Sequence, residues 1–276
     1  MADPVPLELR TLTMGLDSYE RSSFSYQGKT RDIFRRGSGP AVIVIAELPG
    51  ITPDVIAFAD RVVDLGCTAV LPHLFGEPGR PLSAGYGVRS ILPACISRDF
   101  AAFATRRTSP VIDWLRALAR EEHARCGGPG VGAVGMCFTG GFALAMAVDD
   151  SIIAPVLSQP SLPFPVTRSH KRDVGLSDDD LAKVKNRCAT ADLCVLGLRF
   201  TADRFVPAER FKRLREELGD AFVGVEIDSS PGNQWGHSRT AHSVLTHDLK
   251  DQPGQPTRDA LDQVLELFRR KLLASA

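Results

Sequence analysis

The hydrophobic positions of this chain form short continuous runs that alternate with longer segments of helical spacing. The runs AVIVI at residues 41–45 and CTAVLP at 67–72 end at turn residues, as is typical of strands buried in a parallel sheet. Between them, TPDVIAFADRVVDLG at 52–66 has apolar residues at helical spacing, begins with Thr-Pro and ends at glycine. This alternation predicts an α/β fold, with a mostly parallel central sheet covered by helices on both faces.

The same pattern continues to the end of the chain. Strands are predicted around residues 131–135, 152–160, 191–201 and 222–230, and helices around 109–128, 142–150, 207–219 and 257–274. Residues 73–96 predict a long loop, and residues 161–187 an excursion of loop and helix. Because no linker, repeat or low-complexity tract interrupts the pattern, we predict a single domain over residues 1–276, in which residues 1–39 contribute N-terminal strands.

Composition narrows the classes of function. The 276 residues are 43% hydrophobic and 24% charged, and 33 basic residues balance 33 acidic ones. A net charge of zero gives no support to capture of nucleic acid or of an anionic membrane. No apolar run approaches the roughly 20 residues that span a bilayer, and the first residues lack the layout of a secretory signal, so a cytoplasmic location is expected. The six cysteines show neither C-x-x-C nor zinc-finger spacing, which predicts reduced thiols and no metal or cofactor.

One cysteine lies on a predicted strand-to-helix turn. In GMCFTGG, residues 135–141, Cys137 takes the nucleophile position of the G-x-S-x-G elbow, but the second glycine comes one place late and Thr139 fills its slot. Small neighbours let strand and helix approach, and the turn lifts the thiol to the edge of the sheet. The N–H of Phe138 would then lie at a helix N-terminus, where it can stabilise a thiolate or an oxyanion. A glycine-rich turn around a buried thiol is the structural alternative.

A second glycine pattern overlaps this turn. Residues 130–135, GVGAVG, fit the G-x-G-x-x-G fingerprint of dinucleotide-binding folds. These glycines lie within the predicted strand and not in the turn after it. Dinucleotide binding is therefore not expected.

A thiol nucleophile needs a base, and the base needs an orienting acid. Asp203 follows the predicted strand 191–201, while His237 and His242 lie in the loop after the strand 222–230. Alone, Asp203 could be a helix cap and either histidine a surface residue. Together with Cys137 they follow the chain order nucleophile, acid, histidine of α/β-hydrolases, at the sheet edge where ligands bind. The combination favours a catalytic triad.

These motifs resemble the dienelactone hydrolase family of the α/β-hydrolase fold. The resemblance rests on GMCFTGG, on VIVIAELPGI followed by GCTAVLPHLFG, and on ADRFVPAERF, and it extends over residues 40 to 272. It implies that Cys137 is the nucleophile and Asp203 the orienting acid. It also implies that Glu47 hydrogen-bonds the resting thiol and helps to deprotonate it, and that the N–H groups of Leu48 and Phe138 form the oxyanion hole.

Two further assignments follow from the resemblance and leave alternatives open. The family has an arginine upstream of the elbow that binds a substrate carboxylate; Arg98 is the nearest candidate here, with Arg89, Arg106 and Arg107 as alternatives. In the family, the histidine lies in GHS followed by an apolar residue. Residues 236–238 match GHS and indicate His237, whereas residues 242–245, HSVL, have an apolar residue after HS and indicate His242, which we prefer. Trp235 would then be a pocket wall or a buried anchor of its loop.

The sequence thus predicts a cysteine-dependent hydrolase that cleaves a small lactone or carboxylic ester through an acyl-thioester. Its partner would be a small molecule that can carry a carboxylate, and the protein would be a monomer or a homodimer. A general carboxylesterase or thioesterase on the same site is one alternative. A non-catalytic α/β-hydrolase-like binding protein is the other, and the intact set of Cys137, Asp203 and a downstream histidine argues against it.

Overall fold

The computed structural model describes residues 15–83 and 109–274, which contain one eight-stranded sheet. Its strands are β1 (Glu20–Tyr26), β2 (Lys29–Gly37), β3 (Ala41–Ile45), β4 (Thr68–Pro72), β5 (Val131–Met136), β6 (Ile152–Ser158), β7 (Val195–Phe200) and β8 (Phe222–Ile227). They lie in the order β1-β2-β4-β3-β5-β6-β7-β8. The pairs β1–β2 and β2–β4 are antiparallel, and all later pairs are parallel. The predicted mostly parallel sheet is confirmed.

Helices cover both faces of this sheet. They are α1 (Pro53–Asp64), α2 (Pro110–Cys126), α3 (Phe142–Met146), α4 (Arg168–Arg172), α5 (Asp178–Thr190), α6 (Ala208–Leu218) and α7 (Pro256–Phe268). One buried apolar cluster contains residues of α1 and α7, and the other contains residues of α2, α3, α5 and α6. Strands β3, β4 and β5 are buried along their whole length, because each faces a cluster on both sides.

The helix ends follow their sequence signals. Thr52 caps α1 by accepting a hydrogen bond from the N–H of Val55, and proline opens α1, α2 and α7. The helix predicted over residues 142–150 is shorter, since α3 ends at Met146. Arg116 donates two hydrogen bonds to the carbonyl of Ala145, which satisfies one of the carbonyls that the early helix end leaves open.

Two irregular regions also match the sequence pattern in part. The excursion at 161–187 contains α4 and the start of α5, and residues 73–83 contain neither helix nor strand. Residues 84–96 of the predicted loop, and residues 1–14 of the segment predicted to contribute N-terminal strands, lie outside the described residues. No helix in the described part of the chain is both long enough and apolar enough to cross a bilayer.

Candidate active site

The turn after β5 has the backbone of a strained nucleophile elbow. Cys137 has φ of 52°, a left-handed conformation that costs a non-glycine residue roughly 1–3 kcal/mol. A Cβ on Gly135 would lie 2.1 Å from the carbonyl oxygen of Thr139, and one on Gly140 would lie 2.5 Å from the Cα of Pro160. Neither approach is possible for a real side chain. The two glycines are therefore required by the close contact of the turn with itself and with the loop after β6.

The displaced second glycine of the motif has a structural reason. Thr139, in the usual glycine slot, is buried, and its Oγ1 accepts a hydrogen bond of 3.0 Å from the N–H of Met136. The same hydroxyl lies 3.0 Å from the carbonyl oxygen of Ile45 at the end of β3 and 2.9 Å from that of Met136. Thr139 thus ties the elbow to the neighbouring strand, while Gly140 provides the close approach to Pro160.

A histidine and an aspartate from two other strand ends meet at this thiol. Nδ1 of His242, in the loop after β8, lies 2.6 Å from Oδ2 of Asp203, in the loop after β7. Oδ1 of Asp203 accepts a hydrogen bond of 2.9 Å from the N–H of Phe205, which fixes the carboxylate. The His242 ring also interacts with the sulfur of Cys137. The structure therefore brings together Cys137, His242 and Asp203.

The partners of His242 favour its protonated form. Burial of the ring opposes that form, but the interactions with Cys137 and Asp203 overcome the penalty and raise the pKa of His242 to about 11. At neutral pH the ring is therefore an imidazolium placed between the sulfur of Cys137 and the carboxylate of Asp203.

His237, the alternative base, lies elsewhere. Its ring packs on Phe200 with a centroid distance of 5.0 Å, and it is 6% exposed. Burial, followed by the nearby positive charge of Lys250, lowers the pKa of His237 below its ordinary value. Its Nε2 has no hydrogen-bond partner among the described residues. The geometry joins His242, and not His237, to Asp203.

Glu47 has different partners from those that the resemblance implies. It follows β3 and is 6% exposed. Its carboxylate accepts hydrogen bonds from Ser243 at 2.7 Å, from Gln159 at 3.1 Å, and from Thr246. Among the described contacts, none joins Glu47 to the sulfur of Cys137. Glu47 thus anchors the loop that carries His242, because Ser243 is the next residue in the chain.

The hydroxyl that does contact the thiol belongs to Ser161, which the sequence reasoning missed. Its Oγ donates to the sulfur of Cys137 at 3.4 Å, and its N–H donates to the carbonyl of Cys137 at 3.0 Å. Ser161 is 1% exposed and lies just after β6, the strand paired with β5. That position at the sheet edge was the available signal, but serines are too common in loops for it to stand out.

A buried arginine holds the segment that carries Ser161. Arg210 of α6 is 1% exposed, and its guanidinium donates to the carbonyls of Pro160 and Pro163 on either side of Ser161. It also donates to the carbonyls of Asp173 at 2.7 Å and His170 at 3.1 Å. Burial lowers the pKa of Arg210 to about 10, which still leaves it charged at neutral pH. One cation thus satisfies four carbonyls and fixes the loop against the elbow.

The remaining predicted residues differ in how far the structure places them. Leu48 follows Glu47 after β3 and Phe138 follows the nucleophile in the elbow, so both backbones lie at the same sheet edge as the thiol. Trp235 is partly exposed, and its carbonyl accepts a hydrogen bond of 2.6 Å from Lys250 in its own loop. Arg98 and the alternatives Arg89, Arg106 and Arg107 lie outside the described residues.

A large surface cleft lies away from this site. It encloses about 620 Å³, and its lining includes Cys188, Cys194 and Lys271. Cys194 comes directly before β7, and other lining residues directly precede β8, so the cleft is at the amino edge of the parallel strands. Ligands of open α/β sheets bind at the carboxyl edge. The cleft is therefore a less suitable candidate than the Cys137 site.

Within residues 15–83 and 109–274, no group of three or more metal-ligating side chains could hold a metal ion.

The sheet order and the placement of Cys137, Asp203 and His242 after β5, β7 and β8 define the class of this protein as an α/β-hydrolase. Solved structures agree with that class. The sequence profile of the dienelactone hydrolase family matches residues 33–272, and the chain belongs to this family of hydrolases. The resemblance found in the sequence is thereby confirmed. No curated protein sequence matches the chain significantly.

Three solved structures illustrate the likeness. A dienelactone hydrolase-like promiscuous phosphotriesterase from metagenomic libraries has a TM-score of 0.60 and 18% identity, covering 92% of this chain and 98% of its own. A Klebsiella pneumoniae protein provisionally assigned as a dienelactone hydrolase has a TM-score of 0.59 and 17% identity, covering 91% and 98%. A cold-adapted esterase from an Arctic intertidal metagenomic library has a TM-score of 0.56 and 15% identity, covering 92% and 94%. At these identities the likeness establishes the fold.

Proposed function

We propose that this protein hydrolyses small carboxylic esters or lactones with Cys137 as nucleophile. The observation that carries the proposal is the continuous contact from the sulfur of Cys137 through the His242 ring to Asp203. A neutral thiol is a weak nucleophile at neutral pH, whereas a thiolate beside an imidazolium is a strong one. The raised pKa of His242 supports an imidazolium beside the sulfur, and we assign the thiolate as its partner.

Acylation begins when the thiolate attacks the substrate carbonyl. A carbon–sulfur bond forms, and the electron pair of the C=O bond moves to oxygen. We assign the N–H groups of Leu48 and Phe138 to this oxyanion, a contribution of about 3 kcal/mol for each donor. When the intermediate collapses, the ester C–O bond breaks and the imidazolium of His242 gives its proton to the leaving oxygen. In a lactone, the leaving oxygen stays attached to the acyl chain.

Deacylation returns the site to its resting state. His242, now neutral, takes a proton from a water molecule, whose oxygen attacks the thioester carbonyl. The carbon–sulfur bond breaks, the thiolate leaves beside the newly formed imidazolium, and the carboxylic acid product is released. Asp203 keeps Nδ1 protonated, so that the opposite nitrogen handles the proton in both steps.

Ser161 has a positioning role in this scheme. The Ser161 hydroxyl donates to the sulfur of Cys137, which favours the thiolate over the thiol. The N–H of Ser161 donates to the backbone carbonyl of Cys137 and holds that backbone in place. The buried Arg210 keeps this serine in place through the carbonyls on either side of it. Ser161 thus supplies a contact to the thiolate that the resemblance had assigned to Glu47.

The solved relatives support hydrolysis as the reaction class. They include an esterase and a promiscuous phosphotriesterase, so the same fold accepts more than one type of ester. A general carboxylesterase or a thioesterase would use the same residues. A cytoplasmic location and a monomeric or homodimeric state stay predictions from the sequence.

Trapping of the acyl group on Cys137 tests the proposal. Intact mass spectrometry after mixing with p-nitrophenyl acetate should show one acetyl group on the wild-type protein, and peptide mapping should locate it on Cys137. In Cys137→Ala the acetyl group should be absent and hydrolysis should fall by about 10⁶-fold. Cys194→Ala, which removes a thiol at the opposite sheet edge, should hydrolyse at the wild-type rate. A Cys137→Ala variant that keeps wild-type turnover would refute the proposal.

A further inference from the structure

A row of four phenylalanine rings leads from the elbow to the histidine of the triad. Ring centroids are 6.4 Å apart between Phe75 and Phe138, 6.4 Å between Phe138 and Phe164, and 6.4 Å between Phe164 and Phe205. The Phe205 ring is in turn 5.9 Å from the ring of His242, in an edge-to-face arrangement. The four residues follow four different strands, β4, β5, β6 and β7, at the carboxyl edge of the sheet. We call them the aromatic row.

Exposure of the aromatic row rises from Phe138 toward His242. Phe138, next to the nucleophile, is 3% exposed, whereas Phe164 is 38% and Phe205 is 54% exposed. Large apolar rings are usually buried on folding. Two neighbouring exposed rings beside the proposed catalytic base therefore indicate a surface that binds apolar groups. Phe164 is held there by the segment that Arg210 fixes through Pro163, so its place is set by the fold.

We propose that Phe164 and Phe205 bind an aryl or branched apolar group in the alcohol part of an uncharged ester substrate. The inference rests on the proposed function. In acylation, the ester C–O bond breaks and the departing oxygen takes its proton from His242, so the alcohol part must lie beside that ring. Phe205 is a side chain in contact with the His242 ring. The alcohol leaves neutral, and water supplies the oxygen of the acid product.

Two carboxylates close to His242 also favour an alcohol part that is not anionic. Asp203 contacts the His242 ring, and Glu47 accepts a hydrogen bond from the next residue, Ser243. Arg210 reaches the same loop, but its guanidinium is 1% exposed and donates to backbone carbonyls, so it offers no site to a substrate carboxylate. Because Arg98 and its alternatives lie outside the described residues, an anionic ester must be part of the test.

Three acetate esters separate these possibilities, because they share the acyl group and differ only in the alcohol. We would measure kcat/KM for benzyl acetate, ethyl acetate and 4-carboxybenzyl acetate in the wild type, Phe205→Ala and Phe164→Ala. In either variant the ratio of benzyl to ethyl acetate should fall by about 10-fold, since each ring contributes one aromatic contact. The wild type should prefer benzyl over 4-carboxybenzyl acetate. Val223→Ala, which removes an apolar side chain 41% exposed on β8, should leave the ratio unchanged.

Two results would overturn the inference. One is an unchanged ratio in both phenylalanine variants, and the other is a wild-type preference for the carboxylated ester. Either result would leave the proposed function intact as long as p-nitrophenyl acetate still acetylates Cys137. If Cys137 is never acetylated, the proposed function fails, and this assignment of the alcohol group fails with it.

Discussion

The loop after β8 holds His237 and His242 only five positions apart, and the halves of the loop that contain them differ in kind. In the first half, residues 230–238, the ring of His237 is packed on Phe200 and burial lowers its pKa. In the second half, residues 241–248, His242 contacts Asp203 and the sulfur of Cys137, and its pKa rises to about 11. The same side chain is therefore held neutral in one half and charged in the other.

The difference comes from how each half is fastened. Asn233 closes the first half on itself, by accepting from the N–H of His237 and donating to its carbonyl. In the second half, Asp248 accepts from the N–H groups of His242 and Ser243, and Glu47, after β3, also accepts from Ser243, which fastens this half to the sheet edge. Both halves contain a histidine, but only the second half places a histidine, His242, at the carboxyl ends of the strands. A histidine can take part in chemistry at this edge of the sheet only when its loop segment reaches those strand ends.

Exchange of each histidine for glutamine gives the largest expected contrast. His242→Gln removes the proton carrier and the partner of the thiolate, so kcat/KM for an acetate ester should fall by about 10⁴-fold. His237→Gln leaves the triad untouched, and its activity should stay within about threefold of the wild type. Steady-state kinetics on both purified variants measures the contrast. Equal losses in the two variants would mean that the halves share one function.

Asp203→Asn should have a smaller effect than His242→Gln. The amide keeps the shape of the carboxylate but no longer stabilises the imidazolium, so kcat should fall by about 10³-fold while the fold stays intact. The rate of Cys137 alkylation by iodoacetamide should also become more dependent on pH near neutrality, because the charged pair is weakened. An Asp203→Asn variant with the wild-type alkylation profile would show that the carboxylate only orients the ring.

The two histidines should also give stability opposite dependences on pH. The pKa of His242 is raised from its ordinary value of 6.5 to about 11, so its stabilising contribution is complete below pH 6.5 and is lost as pH rises toward 11. The pKa of His237 is lowered, so folding favours its neutral ring, and stability is lost as pH falls below 6.5.

Urea unfolding between pH 5 and pH 10 measures this smallest effect. The stability advantage of the wild type over His242→Gln should shrink as pH rises above 6.5. Relative to His237→Gln, the wild type should lose stability as pH falls below 6.5. Parallel curves for the three proteins would contradict the assigned directions of both pKa shifts.

Much of the fold could be predicted from the sequence, because periodicity reports burial directly. Strand β3 and helix α1 are as the apolar pattern predicts, since each packs on the core with an uninterrupted face. The pattern predicted too long a helix after the elbow. There the apolar residues 142–148 suit a helix along their whole length, but α3 ends at Met146. An apolar pattern alone does not reveal where a helix stops.

The triad followed from chain order, whereas its surroundings depended on contacts between distant residues. Nothing local to Glu47 indicates that its partners lie near residues 159 and 243–246. Likewise, Ser161 reaches the thiol only because Arg210, far along the chain, fastens the loop from the core side. Such positions are set by packing between elements, which a single sequence does not record.

The close approach of Gly140 to Pro160 has a consequence for engineering. The elbow and the loop after β6 fit together only when the elbow has no side chain at residue 140. Transplanting residues 159–164 into a related scaffold would therefore need a glycine at the position of Gly140. A scaffold with any larger residue there would push the grafted serine away from the sulfur. The unit that can be exchanged between relatives is therefore the two segments together, and recombination boundaries should be drawn outside both.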